Sequence, residues 1–309
     1  MPVKNDATRY VVRSTDPVWF GFLRARRPRE VNFWIPSAGP VAVAPGTPWF
    51  YQIRRTGQIF GCGFFAAYSK MPLMMAWETF GEANGAPTYP EFVKIIAKLR
   101  DAPTSGISEI GCAALVDPIY FDEPVPYNRM YGPMESHDTR DPEGARLWQA
   151  LTEAMHGAFA DAPRAADAAI SQLNIPGGRG APTLIRPRLG QSAFRTAVLA
   201  AYERRCAVTG ERTLPVLQAA HIRPFADVNE HDIRNGLLMR SDLHVLFDAG
   251  LVTVDSNLRF RVSSKIREMY ENGRDYYALN DRSIRSPRFA EQRPLREHLD
   301  YHSSVIFKP

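Results

Sequence analysis

His244 and Asp248 stand four residues apart in the run Ser241-Asp-Leu-His-Val-Leu-Phe-Asp248, whose pattern predicts a helix beginning near Ser241-Asp242. That spacing puts an imidazole and a carboxylate on one helical face, which is half of a divalent-metal site. Ser241 or Asp242 would cap this helix by accepting a hydrogen bond from a free N–H of its first turn. A second histidine, His221, ends a short apolar strand at 216–220 that follows a turn at Cys206-Ala-Val-Thr209-Gly210. Between the histidines lie a polar loop and Asn235-Gly236. Each residue also has a plain structural role open to it. His221 fits a satisfied core group, His244 with Asp248 an exposed pair, and Asn235-Gly236 a tight turn.

Taken in order, these residues form a pattern. Ala219-Ala220-His221-Ile222-x-Pro224 is followed by Asn235-Gly236-Leu237-Leu238. Then comes Asp242-Leu243-His244-x-Leu246-Phe247-Asp248-x-Gly250-Leu251. The stretch, spanning about residues 190–262, resembles the HNH endonucleases, and among them a subgroup of predicted restriction enzymes. Their ββα-metal fold is two strands joined by a long loop and followed by a helix. The resemblance implies a catalytic set of His221, Asn235 and His244. His221 would be the general base for water attacking a phosphodiester, and Asn235 would bond across the loop to fix the strand that presents it. His244 and Asp248 would hold one Mg²⁺ or Mn²⁺. The implied products carry a 5′ phosphate and a 3′ hydroxyl.

Two departures from that family pattern stand out. Many relatives carry an Asp or His ligand just before the base, where this chain has Ala220; His231 and Asp242 are the candidates for a further ligand. Relatives often add a zinc on paired Cys-x-x-Cys, whereas here Thr209 stands at that spacing from Cys206, so no structural zinc is expected. Arg186, Arg188, Arg204, Arg205 and Arg223 are candidate phosphate contacts, each equally suited to a solvated face.

The elements that must position this chemistry can be read around it. A helix is expected over 191–205, with Phe194, Val198, Ala201 and Tyr202 on one face. Upstream, Asn174-Ile-Pro-Gly-Gly-Arg-Gly180 crowds three glycines and a proline into seven positions, which no regular element tolerates. A helix from Pro142 to Met155 and an alanine-rich segment precede it. Residues 1–134 read as aromatic-rich strands at 31–35, 49–54, 59–68 and 111–116, with helices at 73–80 and 89–99 between them. The expected fold class is α+β: an N-terminal β-barrel with inserted helices over 1–134, a helical linker over 135–180 and a ββα-metal domain over 181–309.

The N-terminal segment, with its Asn-aromatic-Trp run at Asn32-Phe33-Trp34 and its glycine-then-aromatic strand at 61–65, resembles the PUA-like superfamily, in particular EVE and SRA-like modules. That resemblance implies an aromatic pocket for an extruded, modified base. Asn32, Trp34, Trp49, Tyr68 and Trp77 are its candidates, although core packing suits each of them singly. Gly61-Cys62-Gly63 is not a nucleotide fingerprint, because no third glycine opens a helix behind it.

Composition narrows the classes further. The 309 residues are 45% hydrophobic and 23% charged, which argues against wholesale disorder. No run approaches the roughly 18–20 apolar residues of a membrane span, and no apolar signal segment opens the chain. Three scattered cysteines offer no disulfide framework, so a reducing cytoplasm is the expected setting. The net charge of +5 lies wholly in 181–309, where 20 Lys and Arg face 15 Asp and Glu and 18 of the 20 are arginine. Arginine's planar fork suits phosphate, so a nucleic acid is the expected partner; the two resemblances imply DNA, including DNA with modified cytosine. What the resemblances imply is a metal-dependent endonuclease of modification-dependent restriction, here expected in the cytoplasm, with a homodimer as the form suited to cutting both strands. The residues leave open RNA cleavage, and also a nucleic-acid binder whose nuclease site has decayed at Ala220.

Overall fold

A computed structural model describes residues 8–37, 39–127, 134–158, 189–228 and 231–309. The chain forms two compact units, Met1–Pro187 and Arg188–Pro309. The glycine-rich segment at 174–180, Arg186 and Arg188 fall outside the described residues.

The first unit is built on a six-stranded sheet. Its strands are β1 (Arg9–Thr15), β2 (Glu30–Ile35), β3 (Pro48–Ile53), β4 (Gln58–Pro72), β5 (Glu109–Pro126) and β6 (Glu135–Asp138). They pair in the order β2-β5-β4-β3-β1-β6, parallel only between β1 and β3. Neighbouring strands lie about 4.8 Å apart, so β2 and β3 would be about 14 Å apart in a flat sheet. Yet Phe33 of β2 and Trp49 of β3 have ring centroids 5.2 Å apart, and the Arg13 guanidinium of β1 lies 5.8 Å from the Phe33 ring. The sheet therefore curls on itself around an aromatic interior. Register shifts in β4 provide the bends, and Gly61 and Gly63 leave room there for the Ile119 carbonyl and the Tyr51 hydroxyl.

The α+β expectation is met, with one correction: among the described residues β2 and β6 do not pair with each other, so the sheet is curled and open rather than a closed barrel. Among the described residues four α-helices accompany it: α1 (Pro17–Arg26), α2 (Leu73–Phe80), α3 (Tyr89–Arg100) and α4 (Pro142–Gly157). Helix α1 occupies a stretch whose Trp19, Phe20 and Phe22 look strand-like. It forms because the Asp16 carboxylate accepts from the N–H groups of Val18 and Trp19, with Pro17 opening the first turn.

The second unit opens with α5 (Gln191–Ala201), which ends four residues before the expected Arg205 because Glu203 and Arg204 turn left-handed, at φ 53° and 59°. Next comes an antiparallel hairpin of β7 (Leu217–His221) and β8 (Gly236–Arg240), with His221 opposite Gly236. The connecting loop carries the short α6 (Phe225–Val228), and β8 runs directly into α7 (Ser241–Asp248). This is the ββα order expected from the sequence. The hairpin β9 (Val252–Val254) and β10 (Phe260–Val262) and short C-terminal helices complete the unit. The expected cap is absent: Arg240 occupies the cap position with no side-chain bond to the first turn, and Asp242 instead grips the Arg240 guanidinium.

Candidate active site

The hairpin and α7 bring the two histidines together. His221, at the end of β7, and His244 and Asp248, on α7, all line one cleft of about 590 Å³ with Phe194, Gln218 and Phe225. His244 Nε2 lies 3.3 Å from a carboxylate oxygen of Asp248, as the i,i+4 spacing requires. Its other nitrogen, Nδ1, meets the Gln218 side-chain oxygen at 2.8 Å. That oxygen only accepts, so Nδ1 carries the proton and Nε2 keeps its lone pair on the side of Asp248. An imidazole nitrogen and a carboxylate side by side suit a divalent cation. Among the described residues no group of three or more His, Cys, Asp or Glu gathers closely enough to hold one.

His221 is held by rings. It stacks on Phe194 of α5 with centroids 4.1 Å apart and planes 9° from parallel, and its Nε2 lies 2.9 Å from Nδ1 of His231. Burial, reinforced by the neighbouring His231 and His244, pushes the His221 pKa down to about 4. The ring is therefore neutral well below pH 7, the state a proton acceptor needs.

Asn235 is buried and ties the loop to itself. Its Oδ1 accepts from the Arg223 N–H at 2.8 Å, its Nδ2 donates to the Arg223 carbonyl at 2.9 Å, and its own carbonyl accepts from the Ile222 N–H at 2.9 Å. The two residues that follow His221 are thereby pinned to the residue just before β8.

The other candidates separate. Asp242 faces Arg240, and His231 faces His221, so neither joins His244 and Asp248. Arg223 lies 4.4 Å over the Tyr301 ring, the Arg205 Nε is buried, and Arg204 sits in the turn after α5. In the first unit, Asn32 and Trp34 both bond Asn84, on the face of β2 opposite Phe33, whereas Trp49 packs against Phe33. Tyr68 donates to the Gly39 carbonyl, and Trp77 packs on Tyr89 and Phe92. These five aromatic and amide side chains thus divide among three strands, on opposite faces of β2, and the helix α2. Gln218 and the Phe194 and Phe225 rings escape a sequence reading, because nothing in their local pattern announces contacts made across the hairpin.

The strand–loop–strand–helix order, with His221 and His244 on one cleft, is the arrangement the sequence pattern implies. Residues 206–255 match the family model of HNH endonucleases. The second unit thus contains an HNH nuclease domain. No curated protein matches the chain. Among solved structures, the ASCH protein of Zymomonas mobilis is similar at 14% identity, over 46% of this chain and 94% of its own, with a TM-score of 0.33. A variant of that same protein, with one tyrosine replaced by phenylalanine, is similar at 12% identity, over 46% of this chain and 97% of its own, with a TM-score of 0.34. The modification-dependent restriction endonuclease TagI is 14% identical over 84% of this chain and 61% of its own length, with a TM-score of 0.28. Likenesses this distant assign no residue. No helix among the described residues is long and apolar enough to cross a membrane.

Proposed function

We propose that the protein is a metal-dependent DNA endonuclease of modification-dependent restriction, in which the HNH unit cuts and the N-terminal unit selects modified or foreign DNA, including DNA with modified cytosine. The observation that carries this reading is the single cleft shared by His221, His244 and Asp248 inside the segment that matches the HNH family. His221, neutral at working pH, takes the proton of a water molecule as its oxygen bonds to phosphorus and the P–O3′ bond breaks. The products carry a 5′ phosphate and a 3′ hydroxyl. Asn235 keeps the end of β7 fixed while this happens. His244 and Asp248 would hold Mg²⁺ or Mn²⁺, which when bound supplies positive charge against the phosphate and the leaving oxygen. In the first unit, the buried Oδ1 of Asn32 has no donor and is an acceptor for the edge of a base. Two copies would serve the two strands of a duplex.

One observation favours a second reading, a nucleic-acid binder whose nuclease site is inactive. Among the described residues His244 and Asp248 stand as a pair with no third His, Cys, Asp or Glu gathered beside them, and Ala220 supplies none. Methylated and unmethylated plasmid, incubated with and without Mg²⁺ or Mn²⁺, separates the two. Nicking that requires metal and is lost in a folded His221→Ala variant supports the endonuclease. A gel shift with no nicking supports the binder, and His221→Ala activity within a few-fold of the parent removes His221 as the base.

A further inference from the structure

The His221–His231 contact is the one feature of the cleft that neither the family pattern nor the metal explains. His231 lies within the stretch that resembles the HNH endonucleases but is none of the residues that carry the resemblance. Its backbone is fixed by an antiparallel bridge to Leu189, and its ring stacks on Phe225 with centroids 4.2 Å apart and planes 17° from parallel. Phe194 completes the set, stacking on His221 and lying 5.5 Å from His231. Two imidazoles are therefore clamped by two phenyl rings in a geometry that leaves neither free to turn. Their single shared hydrogen bond joins Nε2 of His221 to Nδ1 of His231 at 2.9 Å.

Only one of these two nitrogens can carry the proton when both rings are neutral. If Nδ1 of His231 donates, the His221 proton must sit on Nδ1, and His221 has no lone pair left for a substrate proton. If Nε2 of His221 donates, Nδ1 of His221 is the free base. We propose that His231 is a positioning residue that accepts from Nε2 of His221 and so holds His221 in the Nε2–H tautomer, with Nδ1 as the nitrogen that takes the proton of the attacking water. The inference rests on the nuclease reading, because the 2.9 Å contact by itself fits either direction and the need for a free base nitrogen selects this one; the NMR readout below tests the tautomer apart from cleavage. The logic is that of any histidine whose second nitrogen sets the state of the first. Here a histidine serves as the orienting partner, where a carboxylate or a backbone carbonyl is the usual one. A neutral partner leaves His221 easily deprotonated, whereas a carboxylate would hold a proton on the pair.

The test reads ring-nitrogen NMR of the ¹⁵N-labelled full chain at pH 7.5, alongside plasmid nicking in Mg²⁺. Three chains are compared: the parent, His231→Ala, and His231→Asn, whose Oδ1 occupies the place of Nδ1 and only accepts. In the parent and in His231→Asn, His221 shows a protonated Nε2 and a bare Nδ1. In His231→Ala the two tautomers mix, and kcat falls about tenfold to a hundredfold with little change in KM. A parent His221 protonated on Nδ1 overturns the inference, and so does a tautomer unchanged in His231→Ala. Rescue of kcat by His231→Asn distinguishes positioning from mere packing, and equal loss in both variants speaks against positioning. If no chain nicks plasmid while the tautomer behaves as stated, the nuclease reading fails and the His231 assignment survives.

Discussion

His244 has two neighbours, and they do different things. Asp248 shares the nitrogen that would meet a cation, while Gln218 holds the opposite nitrogen and fixes which one bears the proton. Removing Gln218 leaves both proposed ligands in place and frees the ring to rotate or change tautomer. Partners of this kind commonly alter metal affinity about tenfold to a hundredfold. Gln218→Ala is accordingly expected to weaken Mn²⁺ binding by that amount in calorimetric titration, and His244→Ala to abolish it. Unchanged affinity in Gln218→Ala would mean the contact is incidental. The residue scale was legible only where chemistry repeats at fixed intervals along the chain. The i,i+4 pair and the order of His221, Asn235 and His244 could be read directly. Gln218 could not, and His231 was legible only as a candidate ligand and not as the partner of His221, because each acquires its role from a partner 26 and 10 residues away, which depends on the hairpin register and the path of the loop.

The elements position those side chains through one tight crossing. Gly236, opposite His221 in the hairpin, lies against α5. A methyl group there would meet Val198 Cγ2 at 2.5 Å, and Ile233 O and Phe194 Cε2 at 3.1 Å each. Phe194 is the ring that His221 stacks on, so a larger residue at 236 presses directly on the face that holds the proposed base. Overpacking of this kind costs about 1–3 kcal/mol. Gly236→Ala should lower the denaturation midpoint correspondingly, and adding Val198→Ala, which removes the nearest methyl group, should make the double variant more stable than the sum of the single losses. Strictly additive losses would show that the contact is not the cause. Helices announced by amphipathic spacing, such as α2, α3 and α5, were readable from the sequence. The exceptions have specific causes. In α1, aromatic density masked the Asp16-Pro17 start signal; the far end of α5 is decided by two left-handed residues; and the open edge of the sheet depends on pairings between strands distant in sequence.

At the scale of the molecule, the C-terminal turn closes the second unit around a single buried histidine. His302 stacks on Phe247 of α7 with centroids 3.6 Å apart. It contacts the Phe247 carbonyl through Nε2 at 3.2 Å, and Thr253 Oγ1 of β9 through Nδ1 at 2.8 Å. A carbonyl only accepts, so Nε2 carries the proton and Nδ1 accepts from the Thr253 hydroxyl; the neutral ring satisfies both neighbours. Burial holds its pKa down at about 4, against 6.5 in an unfolded chain. Above pH 6.5 both states are neutral and the full stability is present. As pH falls from 6.5 towards 4 the unfolded chain takes up a proton that the folded one refuses, and stability drops by a total on the order of 3 kcal/mol. All five tryptophans precede residue 159, so tryptophan emission reports the first unit alone, and the circular dichroism change not matched by it reports the second. His302→Asn keeps an acceptor for Thr253 but cannot titrate. It should start less stable at pH 7 and lose less on acidification to pH 4.5, with the difference confined to the dichroism signal. His221, also held low, is common to both chains and cancels in the comparison. Equal acid sensitivity of parent and variant would show that the C-terminal turn does not couple to proton uptake. The helix carrying His244 and Asp248 would then owe its placement to the hairpin alone.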